Sequence, residues 1–584
     1  MDLATLRKLC SNFRNDLLFP RFPRPNFPMR SSRLLIGSVA LLAACTSKES
    51  GPAVSGAPSG GTLIFSLAGD AVSLFPPSVV DATGRLVQDQ IFDRLAEIGP
   101  DLVTVGDKGF SPRLAQKWTW APDSMSIAFS IDPRARWHDG KPVTASDVRF
   151  SLKIVKDSAF ASPVAPVITN LDSVHVRDSL TAVVWFKKHT PEQFYDVAYQ
   201  LVIIPEHVYG GIPADQMRTA PAASAPIGSG RFRFVRWVPG TRLELIADTN
   251  NYRGRAKLDR IIITPTAAAT AQTQLLTGQS DLGENLPLDR LSELDTSSVA
   301  RGMLLPNFAY LFMGMNPYDA KNKTSPHAIF SDVRTRRALS MAVDRVAMLK
   351  NVFGDKGHLS HGPFPFGVGF GDTTLHLPPY DTTTAKTMLD SSGWRVGAGG
   401  MRAKNGRPLR FSLIVNQSQP RRQYAVLIQE QLRRIGAQVD IDQTDQNTMV
   451  ARANKHDFDA ILYAFNTDPS PSGLLQNWGT AGMGADGQNI LRYSNKRVDA
   501  LLDSAAASFD GAKMKSYVSQ AFQAIVDDAP AVFLYDLTVV YGVNRRITLA
   551  PMRADEWWAN LADWSIPPDK RIPRDRIGLT PAKP

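Results

Sequence analysis

A histidine and an aspartate stand side by side in Trp137-His138-Asp139-Gly140, and an adjacent pair of that kind is where a proton relay would first be sought. Neighbours within a turn rarely face each other, Asp-Gly is itself a turn signal, and no nucleophile accompanies the pair. The segment therefore reads as structural. His358 and His361 lie three apart in the loop HLSHGPFPFG, a spacing at which imidazoles can bind nickel or zinc. No third ligand stands beside them, so they are weak metal candidates. The phosphate loop, the G-x-S-x-G elbow and the H-E-x-x-H helix are all missing, and Gly367-Val368-Gly369-Phe370-Gly371 lacks dinucleotide-fingerprint spacing. That last run reads as a mobile loop. The chain is expected to have no catalytic residues and no cofactor.

Cysteine chemistry is equally sparse. Cys10 and Cys45 are the two cysteines, too few for a disulfide framework or a thiol metal cluster. Arg30 and Arg33 precede the nine-residue apolar run Leu34 to Leu42, which is followed by Ala43, Ala44 and Cys45. The run is short of the roughly 20 residues a bilayer span needs, and a basic start, apolar middle and small-residue exit read as a signal peptide. Leu42-Ala43-Ala44-Cys45 resembles the lipobox of bacterial lipoproteins, which implies lipid on Cys45 and export to the periplasmic or cell-surface side. Residues 1–28 lie upstream of Met29, where the signal peptide could already begin. An early start codon is the simplest account of them, and a cleaved extension the alternative. Of the formal charge of +11, five units belong to residues 1–44, leaving +6 on the 540 residues that follow. Without a dense basic block, nucleic acid is not an expected partner.

The elements follow from pattern. Residues 46–61 are mostly Ser, Gly, Pro and Ala and read as a flexible tether. Folding should begin at Thr62–Leu67, a short β-rich run, with further strands at 127–131 and 183–186. Residues 231–237 and 243–246 flank Pro239-Gly240 and read as a hairpin. Thr144 with Asp147 forms a variant capping box. Ser331 is expected to cap one helix with the stripe Leu339, Ala342, Val343, Val346 and Leu349. A strand at 410–416, a helix with Tyr424, Leu427, Ile428, Leu432 and Ile435 on one face, Gly436 and a strand from 438 make a βαβ unit. The chain is thus α/β, and its length suggests several lobes.

The stretch 111–152 carries a specific resemblance. Trp118, Pro122-Asp123, Phe129, Trp137-His138-Asp139-Gly140, Thr144-Ala145 and Asp147-Val148 stand in the order seen in the family 5 extracellular solute-binding proteins, with Ser124 where the family's turn has glycine. Ile203–Tyr209, Pro226–Gly230 with Phe232-Arg233-Phe234, Asp332–Arg345, Arg492–Asn495 with Val498-Asp499, and Asp528-Ala529-Pro530 resemble later family segments in family order. The resemblance implies a two-lobed, type II periplasmic-binding-protein-like fold with a ligand cleft between the lobes. The first lobe would comprise 62–304, with an extra subdomain at 96–225 and a return at 529–584; the second would comprise 305–528. It implies the lipid-anchored, monomeric binding subunit of an ABC importer, delivering peptides or a similar solute to a permease with its ATPases. The alternatives are a nickel-chelate or oligosaccharide receptor, or a peptide-binding sensor or chaperone uncoupled from transport.

The same resemblance proposes site residues. Tyr463 to Pro469 is similar to a region in which peptide-binding members present two acids, the earlier one holding the peptide ammonium. Phe465 or Asn466 occupies that earlier position here, while Asp468 keeps the later one. Trp478 follows as a candidate wall of the cleft, with a core position the equal alternative. Tyr310 and Asn316 bracket the run that resembles the family's crossing strand.

Overall fold

The computed structural model describes residues 60–467, 469–483 and 487–576. Cys45, the leader 1–44, all but the last two tether residues and Asp468 lie outside the described residues. Those last two, Gly60 and Gly61, are already part of the fold: Gly60 N–H donates to Lys257 O and Gly61 N–H to the Asp259 carboxylate. No helix among the described residues is long and apolar enough to cross a membrane.

One eleven-stranded sheet runs through both lobes. In the first lobe, Thr62–Leu67 pairs in parallel with Arg260–Pro265, which continues antiparallel through Arg242–Ala247 to Phe232–Val238. The last two strands are the expected hairpin. In the second lobe, Arg410–Val415 lies parallel to both Gln438–Gln443 and Ala460–Asn466. The helix Gln419–Arg433 forms the crossover and buries Tyr424, Ile428 and Leu432.

Two long antiparallel strands, Ala300–Met315 and Ala531–Asn544, join the lobes. Their register shifts between residues 306 and 310 and again between Leu311 and Phe312, so the ladder is weakened where the chain passes from lobe to lobe. The return passage expected at 528/529 falls later. Ala531, Val532 and Phe533 still pair with second-lobe residues, and pairing with residues of the first lobe begins at Val540, opposite Leu304. What ends at Asp528 is the helix Gly511–Asp528. Strand alternation sends Tyr310 and Phe312 to one apolar core and Leu311, Met313 and Met315 to another on the opposite face.

Residues 96–225 contain a separate four-stranded antiparallel sheet: Ala115–Trp120, Ser126–Ile131, Thr181–Phe186 and Leu171–Asp178 in spatial order. Its buried face shares one core with Leu63, Phe65 and Trp564, so this layer is fused to the first lobe rather than separately cored. The Trp137–Gly140 segment performs that fusion. His138 Nδ1 accepts from Gly228 N–H at 3.2 Å, which makes its Nε2–H the donor to Gly230 O at 2.9 Å. A Cβ at Gly228 would stand 1.9 Å from Ile91 O, so only glycine permits this approach.

Two expectations change. The single helix from Ser331 is two, Val333–Met341 and Arg345–Phe353, capped by Asp332 and Asp344, whose carboxylates accept from Arg334 and Ala347 N–H. Ser331 Oγ instead donates to His327 O. The Gly367–Gly371 run is a packed loop rather than a mobile one. Val368 and Phe370 are buried, and the preceding Phe364 stacks on Phe522 at 5.3 Å.

Candidate functional site

The strand Ala460–Asn466 ends at the boundary between the lobes, and two cavities meet there. One, of about 530 Å³, runs from Pro76, Arg85 and Arg94 of the first lobe to Asn307 and Asn466. The other, of about 620 Å³, lies between residues 166–200 of the first lobe and 466–506 of the second. Both are lined by Val167, Tyr195, Gln200, Asn466 and Thr467, so they adjoin along that wall.

Of the residues singled out from sequence, Asn466 is exposed and lines both cavities. Tyr463, three residues back and on the other face of the strand, is half-buried, and burial pushes its hydroxyl upward. Phe465, Tyr310 and Trp478 instead form the packed floor beneath the strand end. Trp478 Nε1 donates to Tyr310 Oη at 2.9 Å, and the Phe465 ring stands 5.6 Å from Trp478. All three are buried, Tyr310 and Trp478 completely. Asn316 is also buried, its amide spent on Phe458 O and on Tyr318 N–H, which fixes the strand's far end. The structure therefore brings Tyr463, Phe465, Trp478 and Tyr310 into one aromatic cluster, with Asn466 on the opposite face of the strand, and leaves Asn316 apart. His358 is stacked on Phe366 at 5.6 Å, and burial lowers the basicity of His361. Among the described residues no group of three or more His, Cys, Asp and Glu is placed to hold a metal ion.

The first cavity has a closed charge network at its back. Arg94 pairs with Asp89 at 2.9 Å and lies over the Tyr199 ring at 4.3 Å. Arg553 pairs with Glu97, Asp555 and Glu556, and donates to Tyr199 Oη at 2.7 Å. Buried charges persist when they satisfy each other in this way; burial still pushes the Glu556 carboxyl upward.

The second cavity holds residues that sequence reasoning missed. Glu192 accepts from Thr104 Oγ1 at 2.6 Å and from Ser470 Oγ at 2.7 Å, the latter across the cleft. Asp196 follows it by one turn, at the start of the π-helical turn Asp196–Gln200; such turns are frequent at functional sites. Burial first, then the neighbouring Glu192 charge, pushes the Asp196 carboxyl up to about 8. On the rim, the His189 and Phe509 rings also meet across the lobes at 4.2 Å. Burial lowers the basicity of Arg421, which stands at the start of the helix Gln419–Arg433 near Tyr535 and Tyr463.

Comparison with known proteins agrees with this architecture. The model of the bacterial extracellular solute-binding proteins, family 5 Middle, matches residues 109–485. The oligopeptide-binding protein AppA of Bacillus subtilis is 27% identical over 425 residues, 70% of this chain and 75% of that protein. The structure of AppA in complex with a nonapeptide superposes with a TM-score of 0.68 at 23% identity, covering 87% of this chain and 99% of the other. NikZ from Campylobacter jejuni, in complex with Ni(L-His), gives 0.69 at 20% identity, covering 86% and 99%.

Proposed function

The chain belongs to family 5 of the bacterial extracellular solute-binding proteins, and from that premise we propose that it captures a peptide in the cleft and delivers it to an ABC permease. The observation that carries the reading is the pair of adjoining cavities between the lobes. Each falls within the range of roughly 300–1,000 Å³ common for ligand sites, and together they form an elongated space with apolar walls and amide-bearing residues such as Gln200, Asn466 and Gln476. Extended backbone has donors and acceptors that such amides can meet. The relative AppA is an oligopeptide-binding protein, which supports a peptide over a sugar. The proposal includes export and a lipid on Cys45, on the strength of the segment 30–45.

Native mass spectrometry of protein freshly extracted from its membrane tests both parts. The expected spectrum shows peptides released on activation and an acyl mass on a chain beginning at Cys45. A sugar or a nickel chelate carried through purification would replace the peptide reading, and an unacylated Cys45 would remove the anchor.

A further inference from the structure

The lining of the second cavity is one-sided in charge. Among its described residues are two acids, Glu192 and Asp196, and no lysine, arginine or histidine. Glu192 is engaged by neutral hydroxyls. The Asp196 carboxylate makes no hydrogen bond or ion pair with any described residue. A half-buried carboxylate without a cation or several donors is costly, and two of them one helical turn apart repel each other when both are ionised.

A second observation points the same way. Asn477 is 5% exposed and lines the same cavity, yet its Oδ1 receives no hydrogen bond. The Thr467 hydroxyl, also on the lining, is likewise unpartnered. Buried polar atoms are normally paired. What is missing in this chamber is a donor carrying positive charge.

We propose that the chamber between Asp196, Glu192 and Asn477 receives a cationic nitrogen group of the solute, an ammonium or guanidinium, with Asp196 as its principal counter-ion and Asn477 Oδ1 as a neutral acceptor. This rests on the solute-receptor reading and deepens it. It moves charge recognition from the second-lobe segment around Asp468 to the first-lobe turn at 192–196. A cation arriving there displaces the proton that burial keeps on Asp196 and offsets the repulsion the resulting carboxylate would have with Glu192. Because Glu192 also bonds Ser470 across the cleft, the same group would help hold the lobes together.

The experiment offers the full chain two libraries of random tri- to nonapeptides. One has free amines and contains lysine and arginine; the other is N-acetylated and built without either residue. Peptide retained after gel filtration is weighed by mass spectrometry. Wild type should retain the cationic library at least tenfold better, and D196N, whose fold is checked by its melting temperature, should lose most of that preference. If wild type retains both libraries equally, or D196N keeps the full preference, the inference is overturned while the peptide-receptor reading stands. If neither library is retained, the receptor reading fails first and the inference falls with it.

Discussion

Asp196 contributes to stability with a sign opposite to that of a paired carboxylate. Its ordinary value is 3.8, and in the folded protein it is pushed up to about 8 by burial and by Glu192, the only other acid among the described residues of that chamber. Below about pH 4 both folded and unfolded chains carry the proton, and the residue is neutral to folding. Between about 4 and 8 the unfolded chain releases a proton that the folded chain keeps, so stability falls as pH rises, and the loss is complete above 8. An amide does not titrate. In the absence of solute, D196N should therefore melt higher than wild type, by a margin that is small at pH 5, grows towards pH 8 and then levels. Scanning calorimetry on the pair checks this, and a margin independent of pH would mean that Asp196 is not held protonated. A stabilising substitution that costs binding is what a site residue is expected to give. This residue was not legible in the sequence, because its partner wall comes from residues 466–506, and the Glu192–Ser470 bond alone spans 278 positions. Tyr310, Phe465 and Trp478 were legible only as separate candidates for the cleft, because which face of each strand meets ligand and which meets core is decided by a pairing that a single strand does not encode.

Where turn chemistry or capping is local, elements were readable. The Thr144–Asp147 pair forms, with both Thr144 N–H and its hydroxyl donating to the carboxylate at 2.8 and 3.0 Å. The hairpin turns at Gly240, and Ser124 takes φ of 56° where the family has glycine. Helix continuity was misread because Leu339, Ala342, Val343 and Val346 keep helical spacing across a break, and periodicity does not register a second cap. Asp344 makes that break: its carboxylate accepts from Ala347 N–H at 2.9 Å, and its own N–H is turned aside to Gln431 Oε1 at 2.8 Å. D344A should cost about 1 kcal/mol, the usual range for a lost N-cap being about 0.5–2. Urea denaturation should show a lower midpoint with unchanged slope. No loss would mean that Gln431 and packing alone place the second helix.

At the scale of the whole molecule, the two lobes were legible through the ordered family segments, but the passage between them lies inside strands rather than at helix ends. A weakened ladder between Ala300–Met315 and Ala531–Asn544 permits a bend there, as hinge closure requires. Opposing opening at the cleft are the Glu192–Ser470 bond and the His189–Phe509 contact, beside the Lys356–Asp295 ion pair and an apolar cluster in which Ile98, Leu102, Tyr195 and Tyr199 pack with second-lobe residues. The first two sit at the cleft itself, where bound solute should add to them. S470A combined with F509A removes both contacts while leaving the described cavity walls otherwise intact. Small-angle scattering of the unliganded double variant should give a larger radius of gyration than wild type. Adding a peptide that wild type binds should compact both proteins to the same value, with affinity lower in the variant by the free energy of closure it must now recover from ligand alone. Equal radii without ligand would show that these contacts do not bias the lobes. A bound peptide that compacts neither protein would remove the hinge from the account.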